Sequence, residues 1–542
     1  MRSRDVDRLQ DGAYDVLVIG GGIHGLTVAY EAASRGLRTA LVEASDFGAG
    51  SSFNHQRTAH GGLRSLQSGR LDRARDAIRE RRTLARIAPW LLRPLPFLVG
   101  TYRSFTRSRL ALRSAFMVDA LIGRSRNEGV EPELHLPKAR LISKAATLRL
   151  FPGIRQKQLT GGAQWYDYQI VESERLTVAF ATGADRAGAD LANYVEAVAS
   201  IRDAGRVIGM RTRDRATGRE LEVRAHATVN AAGSAAGAVR QMFGVGDDLP
   251  LLKAMNLVAH RKASDIALAA PGPDDRMLTL VPWRQRALVG TSHSPHFAAP
   301  GDVGVTRAEV DAFIAAANSA FPALALKHAE IALVHRGLVP AIRGQDGRPD
   351  LRPAAEIHDH ASDGAEGAFS IIGVKYTTAR GVAERVVNKV ARRLRKRIAP
   401  SRTAVTVLPG AGISDHEALA IETARGAAVE ASPPLIQHLI RRYAEAAADI
   451  IKLMSERAEW RTRLDPHGPA VAAEVVHAIR HEMAVHLGDV VIRRTALGAA
   501  GHPGADVLHT CAWIAGLELG WDASRRAQEI AAVDAFYRIE EK

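Results

Sequence analysis

The sequence predicts an α/β fold followed by a helical domain (α/β + α), on three observations. A strand, glycine turn, helix and strand follow one another over residues 15–43, strands and hairpins alternate over residues 249–291, and helical patterning runs from residue 415 to the end. The first stretch reads DVLVIGGGIHGLTVAYEAASRGLRTALVE. Val16, Leu17, Val18 and Ile19 form an apolar run too short for a helix, which suits a buried parallel strand. Val28, Ala29, Ala32, Ala33 and Gly36 then keep helical spacing, and a second apolar strand closes on Glu43. Gly20, Gly22 and Gly25 fit G-x-G-x-x-G at the strand-to-helix turn, so the helix N-terminus is expected to face a dinucleotide pyrophosphate. Glu43 stands where a carboxylate accepts hydrogen bonds from an adenosine ribose, and its charge disfavours a 2'-phosphate.

At 542 residues the chain exceeds the size of one core, so two or three domains are expected. A formal charge of +14 attracts anions, whether nucleic acid, anionic lipid or phosphorylated metabolites, and does not choose among them. A single cysteine, Cys511, excludes an internal disulfide and suits a reducing, cytoplasmic compartment. The charged N-terminus runs into the first strand without an apolar signal core, and no run of about 18 apolar residues is present to span a membrane.

After Glu43, the residues Ser51, Ser52, Asn54 and Thr58 supply short polar side chains in a loop expected near the cofactor phosphates, and HGGLR follows at residues 60–64. The glycine fingerprint, the serine-rich loop and HGGLRSL at this distance resemble the FAD-dependent glycerol-3-phosphate dehydrogenases of the aerobic, quinone-linked type, whose motif reads HGGLRYL. The resemblance implies a FAD-binding Rossmann-like domain with an antiparallel β cap carrying the substrate site, and a C-terminal helical domain.

Residues 83–126 hold eight arginines against one acid, Asp119, interleaved with Trp90, Leu91, Leu92, Phe97, Leu98, Phe105, Leu110 and Phe116. Such a face suits an anionic membrane surface, and family members that resemble this segment are commonly peripheral membrane proteins that reduce quinone. The competing reading is a solvated basic face over ordinary core residues.

Further along, Glu174, Arg175 and Leu176 stand where the family has an acid, an arginine and a leucine, and Val198 lies in a strand expected beside the cofactor. The hairpin strands RVIGMRTRD and ELEVRAHATVNAAG end at Ala232 and Gly233, where small residues let backbone approach the FAD. VPWRQRALVGTSHS resembles a family stretch ending in GTTD, with Ser292 or His293 in place of the acid. HRGLVPAIRG at 335–344 resembles GVRPL, with Val339 in the arginine's place and Arg336 and Arg343 close by. FSIIGVKYTTAR resembles a segment with GGKLTTYR, so Gly373, Lys375, Tyr376, Thr377 and Thr378 are expected at a helix start beside the cofactor. The domain boundaries expected from this reading are 12–95, 161–250 and 331–400 for the FAD-binding domain, 96–160 and 251–330 for the cap, and 401–542 for the helical domain. His477, His481 and His486 have helix-surface spacing without an accompanying acid cluster, and no metal site is expected.

No second glycine fingerprint appears, so the substrate is expected to deliver its electrons directly to FAD. The resemblance implies oxidation of sn-glycerol 3-phosphate to dihydroxyacetone phosphate, with a quinone or other acceptor receiving the electrons. His60 is the candidate base, since imidazole titrates near working pH. Arg64 and Lys375 are candidates for both catalysis and phosphate binding, joined at the phosphate by Arg336, Arg343 and Thr377. Cofactor contacts are expected from Gly20, Gly22, Gly25, Glu43, Ser51, Ser52, Gly61, Gly62, Val198, Ala232, Gly233, Gly373, Lys375, Tyr376 and Thr377. Ser65, Val339 and His293 leave open another hydroxy or amino compound as substrate. A basic nucleic-acid or membrane-binding protein retaining FAD would explain the charge but has no use for HGGLR or VKYTT, so no nucleic-acid partner is expected. A homodimer is a further expected assembly.

Overall fold

The structure, a computed structural model, describes residues 1–67, 69–103, 108–246, 249–410, 416–427, 429–465 and 468–541. Its contacts divide the chain into two compact units: residues 1–53, 172–252 and 339–537 form the first, and residues 54–171, 253–338 and 538–542 the second.

In the first unit the strand Tyr14–Ile19 is buried at every position, as a parallel strand covered on both faces must be. It pairs in parallel with Thr39–Val42 on one side and with Glu220–Asn230 on the other, and the sheet continues through Asp190–Ala192 at one end and Ala368–Ile372 at the other. Glu356–Asp359 adds an antiparallel edge. The helix Ile23–Ser34 follows the first strand and packs against helices Ser173–Arg186 and Ala379–Leu394, which is why ten of its twelve residues are buried. Val195–Asp203 and Arg206–Asp214 extend Glu220–Asn230 as an antiparallel hairpin arm.

The C-terminal helices, among them Ala447–Glu456, Ala472–Glu482 and Ala505–Leu519, belong to the same contact unit. Polar connections make that so: Arg494 ends on Asp46, Arg442 on Glu172, and Arg175 on Glu482 at 2.7 Å.

The second unit is built on a largely antiparallel sheet. Leu92–Tyr102 pairs along its length with Leu159–Ile170, and Thr58–Ala59 and Arg140–Ile142 flank the latter. Met277–Trp283 lies between Arg286–His293 and Ala267–Pro271, and Ala267–Pro271 joins Leu92–Tyr102 in parallel, the one departure from the expected antiparallel cap among the pairs described. Behind it the helix Arg307–Ala320, opened by a capping box between Thr306 and Glu309, buries Val310, Phe313, Ile314 and Ala317 in the core of this unit.

The division of the chain has no break at the expected 400/401, and it differs also at the first boundary. It falls at residues 53/54 and not at 95, because Thr58–Ala59 is already a strand of the second unit's sheet. The other breaks, at 171/172, 252/253 and 338/339, lie within about a dozen residues of the expected 160, 250 and 330.

Candidate active site

The glycines of the fingerprint have three distinct reasons to be glycine. Gly20 has φ +106°, and a Cβ there would lie 2.7 Å from the carbonyl oxygen of Ala231 and 2.8 Å from the Cα of Ala232, so the first turn and the NAAG segment touch backbone to backbone. At Gly25 a Cβ would fall 1.8 Å from the carbonyl oxygen of Gly20, the close helix-to-strand approach that closes the unit. Gly22 differs: a Cβ would meet only the Oγ of Ser52, at 3.2 Å. That position opens onto a cradle and not onto the protein interior. Gly22 is the extended N-cap residue of the helix Ile23–Ser34, with no side chain capping it, and the Ile23 amide donates to Ser52 Oγ at 2.9 Å. Ser51 is exposed in the same loop.

Glu43 accepts hydrogen bonds from the amides of Gly21 (2.5 Å) and Ser45 (2.8 Å) and from the Ser45 hydroxyl (3.0 Å). Burial nevertheless raises its pKa above the usual carboxylate value. Ala232 and Gly233 complete the rim next to Gly20, with open space around the position of a Gly233 Cβ. Val198 is half-buried at a register shift in the strand Val195–Asp203.

Gly373 follows the strand Ala368–Ile372, and Lys375 is exposed before the helix Ala379–Leu394. Thr377 is buried, and the Tyr376 hydroxyl donates to the Ser173 carbonyl at 3.1 Å, which fixes this turn to the helix Ser173–Arg186.

The second unit holds the histidine. Thr58 pairs with Gln169 and Ala59 with Tyr168, so the register carries His60 opposite Asp167. His60 Nδ1 lies 3.2 Å from Asp167 Oδ2, and about half of its side chain is exposed. Asp167 is itself buried and held: its Oδ1 accepts from the Gly61 amide at 2.7 Å and from Arg81 Nη1 at 2.5 Å. Burial alone would raise the Asp167 pKa, but the hydrogen bond from His60, the Arg81 charge and the Gly61 amide hold it below the ordinary value. Gly61 and Gly62 are required here by packing: a Cβ on Gly61 would strike Arg81 at 2.1 Å, and one on Gly62, at φ +80°, would crowd Ala74 and Ala77. The His60 ring tilts over Phe97, which stacks on Trp165 at 5.2 Å.

Arg64 lies in the short helix Leu63–Gln67, but its side chain lies outside the described residues. Arg336 sits half-buried in the strand Ile331–Arg343, where burial lowers its pKa and its side chain donates to the Arg538 carbonyl at 3.4 Å. Arg343 is exposed at the end of that strand and donates to the Gly347 carbonyl of the turn that follows, at 3.2 Å. Asp167 and Arg81 escaped sequence reasoning altogether. A lone acid within a strand and an arginine in a basic helix carry no spacing signal, and only the register of Thr58–Ala59 joins them to His60.

A second histidine constellation is closed to substrate. His360 lies between Asp363 (2.8 Å) and Ser370 Oγ (2.9 Å) in a serine–histidine–aspartate order, yet Ser370 is fully buried in the central sheet. The trio locks the sheet edge. His477 and His486 are engaged with Glu482 and Glu529, and among the described residues no group of three or more His, Cys, Asp or Glu could hold a metal.

The FAD dependent oxidoreductase family model matches residues 15–389, and the model for the C-terminal domain of alpha-glycerophosphate oxidase matches residues 401–526. The glycerol-3-phosphate dehydrogenase of Synechocystis is 30% identical over 514 residues, which cover 91% of this chain and 90% of that protein. The chain belongs to the FAD-dependent glycerol-3-phosphate dehydrogenase family. Glycerol-3-phosphate dehydrogenase 2 of Mycobacterium tuberculosis is likewise 30% identical, covering 97% of this chain and 88% of its own. Among solved structures, the glycerol-3-phosphate dehydrogenase of Bacillus halodurans complexed with FAD superimposes with a TM-score of 0.76 at 23% identity, covering 99% of this chain and 97% of that one.

As a member of this family the protein is a FAD-dependent oxidoreductase, and the first unit fits that cofactor on its own geometry. The open face at Gly22, the helix N-terminus behind it, the carboxylate ending the second strand and the bare backbone at Ala232 and Gly233 form a continuous dinucleotide cradle.

Proposed function

We propose that the protein oxidises sn-glycerol 3-phosphate to dihydroxyacetone phosphate and passes the electrons to a quinone-type acceptor. The observation that carries the reading is the His60–Asp167 pair in a member of this family. Asp167 fixes Nδ1 of the ring, which leaves Nε2 as the atom that takes the C2 hydroxyl proton. Bound FAD supplies the two-electron acceptor for the hydrogen that leaves C2. Asp167 holds the tautomer and steadies the imidazolium once the proton has arrived, while Arg81 and the Gly61 amide keep Asp167 ionised and aimed. Arg64 and Lys375 are assigned to the substrate phosphate, Arg64 as a guanidinium fork and Lys375 as an exposed cation before a helix start.

The test is anaerobic bleaching of the bound flavin. Glycerol 3-phosphate should bleach it within seconds, and other phosphorylated alcohols, hydroxy acids and amino acids should act far more slowly. Faster bleaching by one of those other compounds would reassign the substrate while leaving the flavoenzyme reading in place.

An anionic membrane surface is the second partner in this reading. Of the apolar residues in 83–126, Leu91, Leu92, Phe97, Leu98 and Phe116 are core residues, and Phe105 lies outside the described residues. The membrane-facing part is thereby narrowed to the helix Arg109–Ile122, where Leu110 is 75% exposed, Met117 66% and Leu121 58%, with Arg113 and Arg124 exposed alongside. Among the described residues no helix is long and apolar enough to cross a membrane. A homodimer completes the proposed assembly.

A further inference from the structure

We infer that the C-terminal helical domain positions the adenosine half of the cofactor, through Arg493 and Arg494 closing on Asp46. The inference rests on the reading of Glu43 as the ribose ligand and extends it to residues that hold the loop carrying Glu43.

Glu43 is held by two short backbone segments. Its amide donates to the Ala192 carbonyl at 3.0 Å, and its own carbonyl accepts from the Val195 amide at 2.7 Å. The Tyr194 amide donates to the Ser45 carbonyl at 3.0 Å, and the Gly48 amide donates to the Gly21 carbonyl at 2.9 Å. Residues 43–48 are thus stitched to the fingerprint turn on one side and to residues 192–195 on the other.

The helical domain grips both of these segments at once. Arg494, with no exposed surface, donates through Nη1 and Nη2 to the two carboxylate oxygens of Asp46 at 2.8 and 2.6 Å, and Arg493 Nε donates to the same carboxylate at 2.5 Å. Arg493 also reaches Asp489 at 2.6 Å, and the hydroxyl of Tyr194 donates to that same carboxylate at 2.6 Å. Asn193 Nδ2 spans from Asp46 (3.3 Å) to the Met483 carbonyl (2.8 Å). Arg494 Nε is anchored on the Glu482 carbonyl at 3.1 Å.

Fully buried ion pairs are poor glue, because desolvation offsets most of their attraction, and apolar packing of the same volume would hold two domains at least as well. What a bidentate guanidinium and carboxylate provide is fixed direction and register. Here the register is that of the loop carrying Glu43. Asp46, Arg493 and Arg494 are positioning residues for the ribose carboxylate.

A merely structural role would weaken every ligand alike, whereas a positioning role is confined to the adenosine half. Apoprotein is titrated with FAD, with ADP and with flavin mononucleotide, for wild type, Asp46→Asn, Tyr194→Phe and Glu43→Gln. Asp46→Asn should weaken FAD and ADP by about tenfold and leave flavin mononucleotide within about twofold. Tyr194→Phe, which keeps all the charges, should give a smaller loss with the same split. Equal loss for all three ligands, or no loss in either variant, overturns the inference. If Asp46→Asn yields no folded apoprotein, the split in Tyr194→Phe decides alone. Glu43→Gln separates the underlying reading: if it leaves ADP binding intact, the ribose assignment fails, and if it weakens ADP while the other two variants do not, only the clamp fails.

Discussion

His60 and Asp167 are placed opposite one another by the antiparallel register of Thr58–Ala59 on Leu159–Ile170, with His60 Nδ1 3.2 Å from Asp167 Oδ2. Removing either partner should therefore act on the chemical step. His60→Asn should slow flavin reduction by about a hundred- to ten-thousandfold with FAD still bound and substrate affinity little changed. Asp167→Asn should slow it less, since the base remains but its tautomer is no longer held. Arg64→Ala should instead raise the substrate concentration needed for half-maximal reduction. Rapid mixing under anaerobic conditions measures all three, and unchanged rates in both His60 and Asp167 variants would move the base elsewhere.

The three fingerprint glycines should separate on substitution. Gly22→Ala meets only Ser52 Oγ at 3.2 Å, so the apoprotein should fold at close to its ordinary melting temperature while FAD affinity drops. Gly25→Ala places a methyl 1.8 Å from a carbonyl oxygen and should lose soluble protein. Melting curves of the apoproteins together with flavin content check this, and full flavin content in Gly22→Ala would show that the cofactor does not approach that residue.

His24, inside the fingerprint, should make the apoprotein sensitive to mild acid. Its Nε2 is enclosed beside Gly373 without a hydrogen-bond partner among the described residues, and burial pushes its pKa down to about 4. The unfolded chain, with an ordinary imidazole near 6.5, binds the proton first, so stability is lost as pH falls from about 6.5 to about 4, by about 3 kcal/mol over the window. Denaturant midpoints of wild type and His24→Leu at pH 7 and pH 4.5 measure it. The variant should lose less over that interval, and an equal loss would exclude His24 as the cause.

Membrane attachment should follow the exposed face of Arg109–Ile122. The protein should pellet with anionic vesicles, release as salt rises, and pellet less with neutral ones. Met117→Asp combined with Leu121→Asp should abolish pelleting without changing flavin content, because both side chains are exposed. Equal supernatant fractions for wild type with and without anionic lipid would make the helix an ordinary solvated surface.

The parts of the site that local backbone physics dictates were legible in the sequence. Gly20, Gly25 and the strand before them announce themselves because a turn, a close approach and an apolar run each restrict residue type within a few positions. HGGLR was legible through resemblance. Long-range partners were not: Asp167 lies 107 residues from His60, and Arg494 lies 448 from Asp46. Part of the apolar content of residues 83–126 belongs to the half-buried strand Leu92–Tyr102, which carries a single arginine, Arg93, and in sequence such a strand and a membrane-facing helix both show apolar residues beside basic ones. Arg336 and Arg343 were drawn in by proximity in sequence to Val339, and the sequence could not show that one would be half-buried and the other exposed.

The nucleotide sheet is threaded from distant parts of the chain, and this bears on how the protein is made. Tyr14–Ile19 is made well before its neighbour Glu220–Asn230, which follows some two hundred residues later, and Ala368–Ile372 comes later still. Asp46 has to wait 448 residues for Arg494. Until then an apolar strand and an uncompensated carboxylate stand without their partners, the condition in which nascent chains collapse wrongly or recruit chaperones. The sheet beneath the dinucleotide cradle is therefore complete only after Ala368–Ile372 has been made.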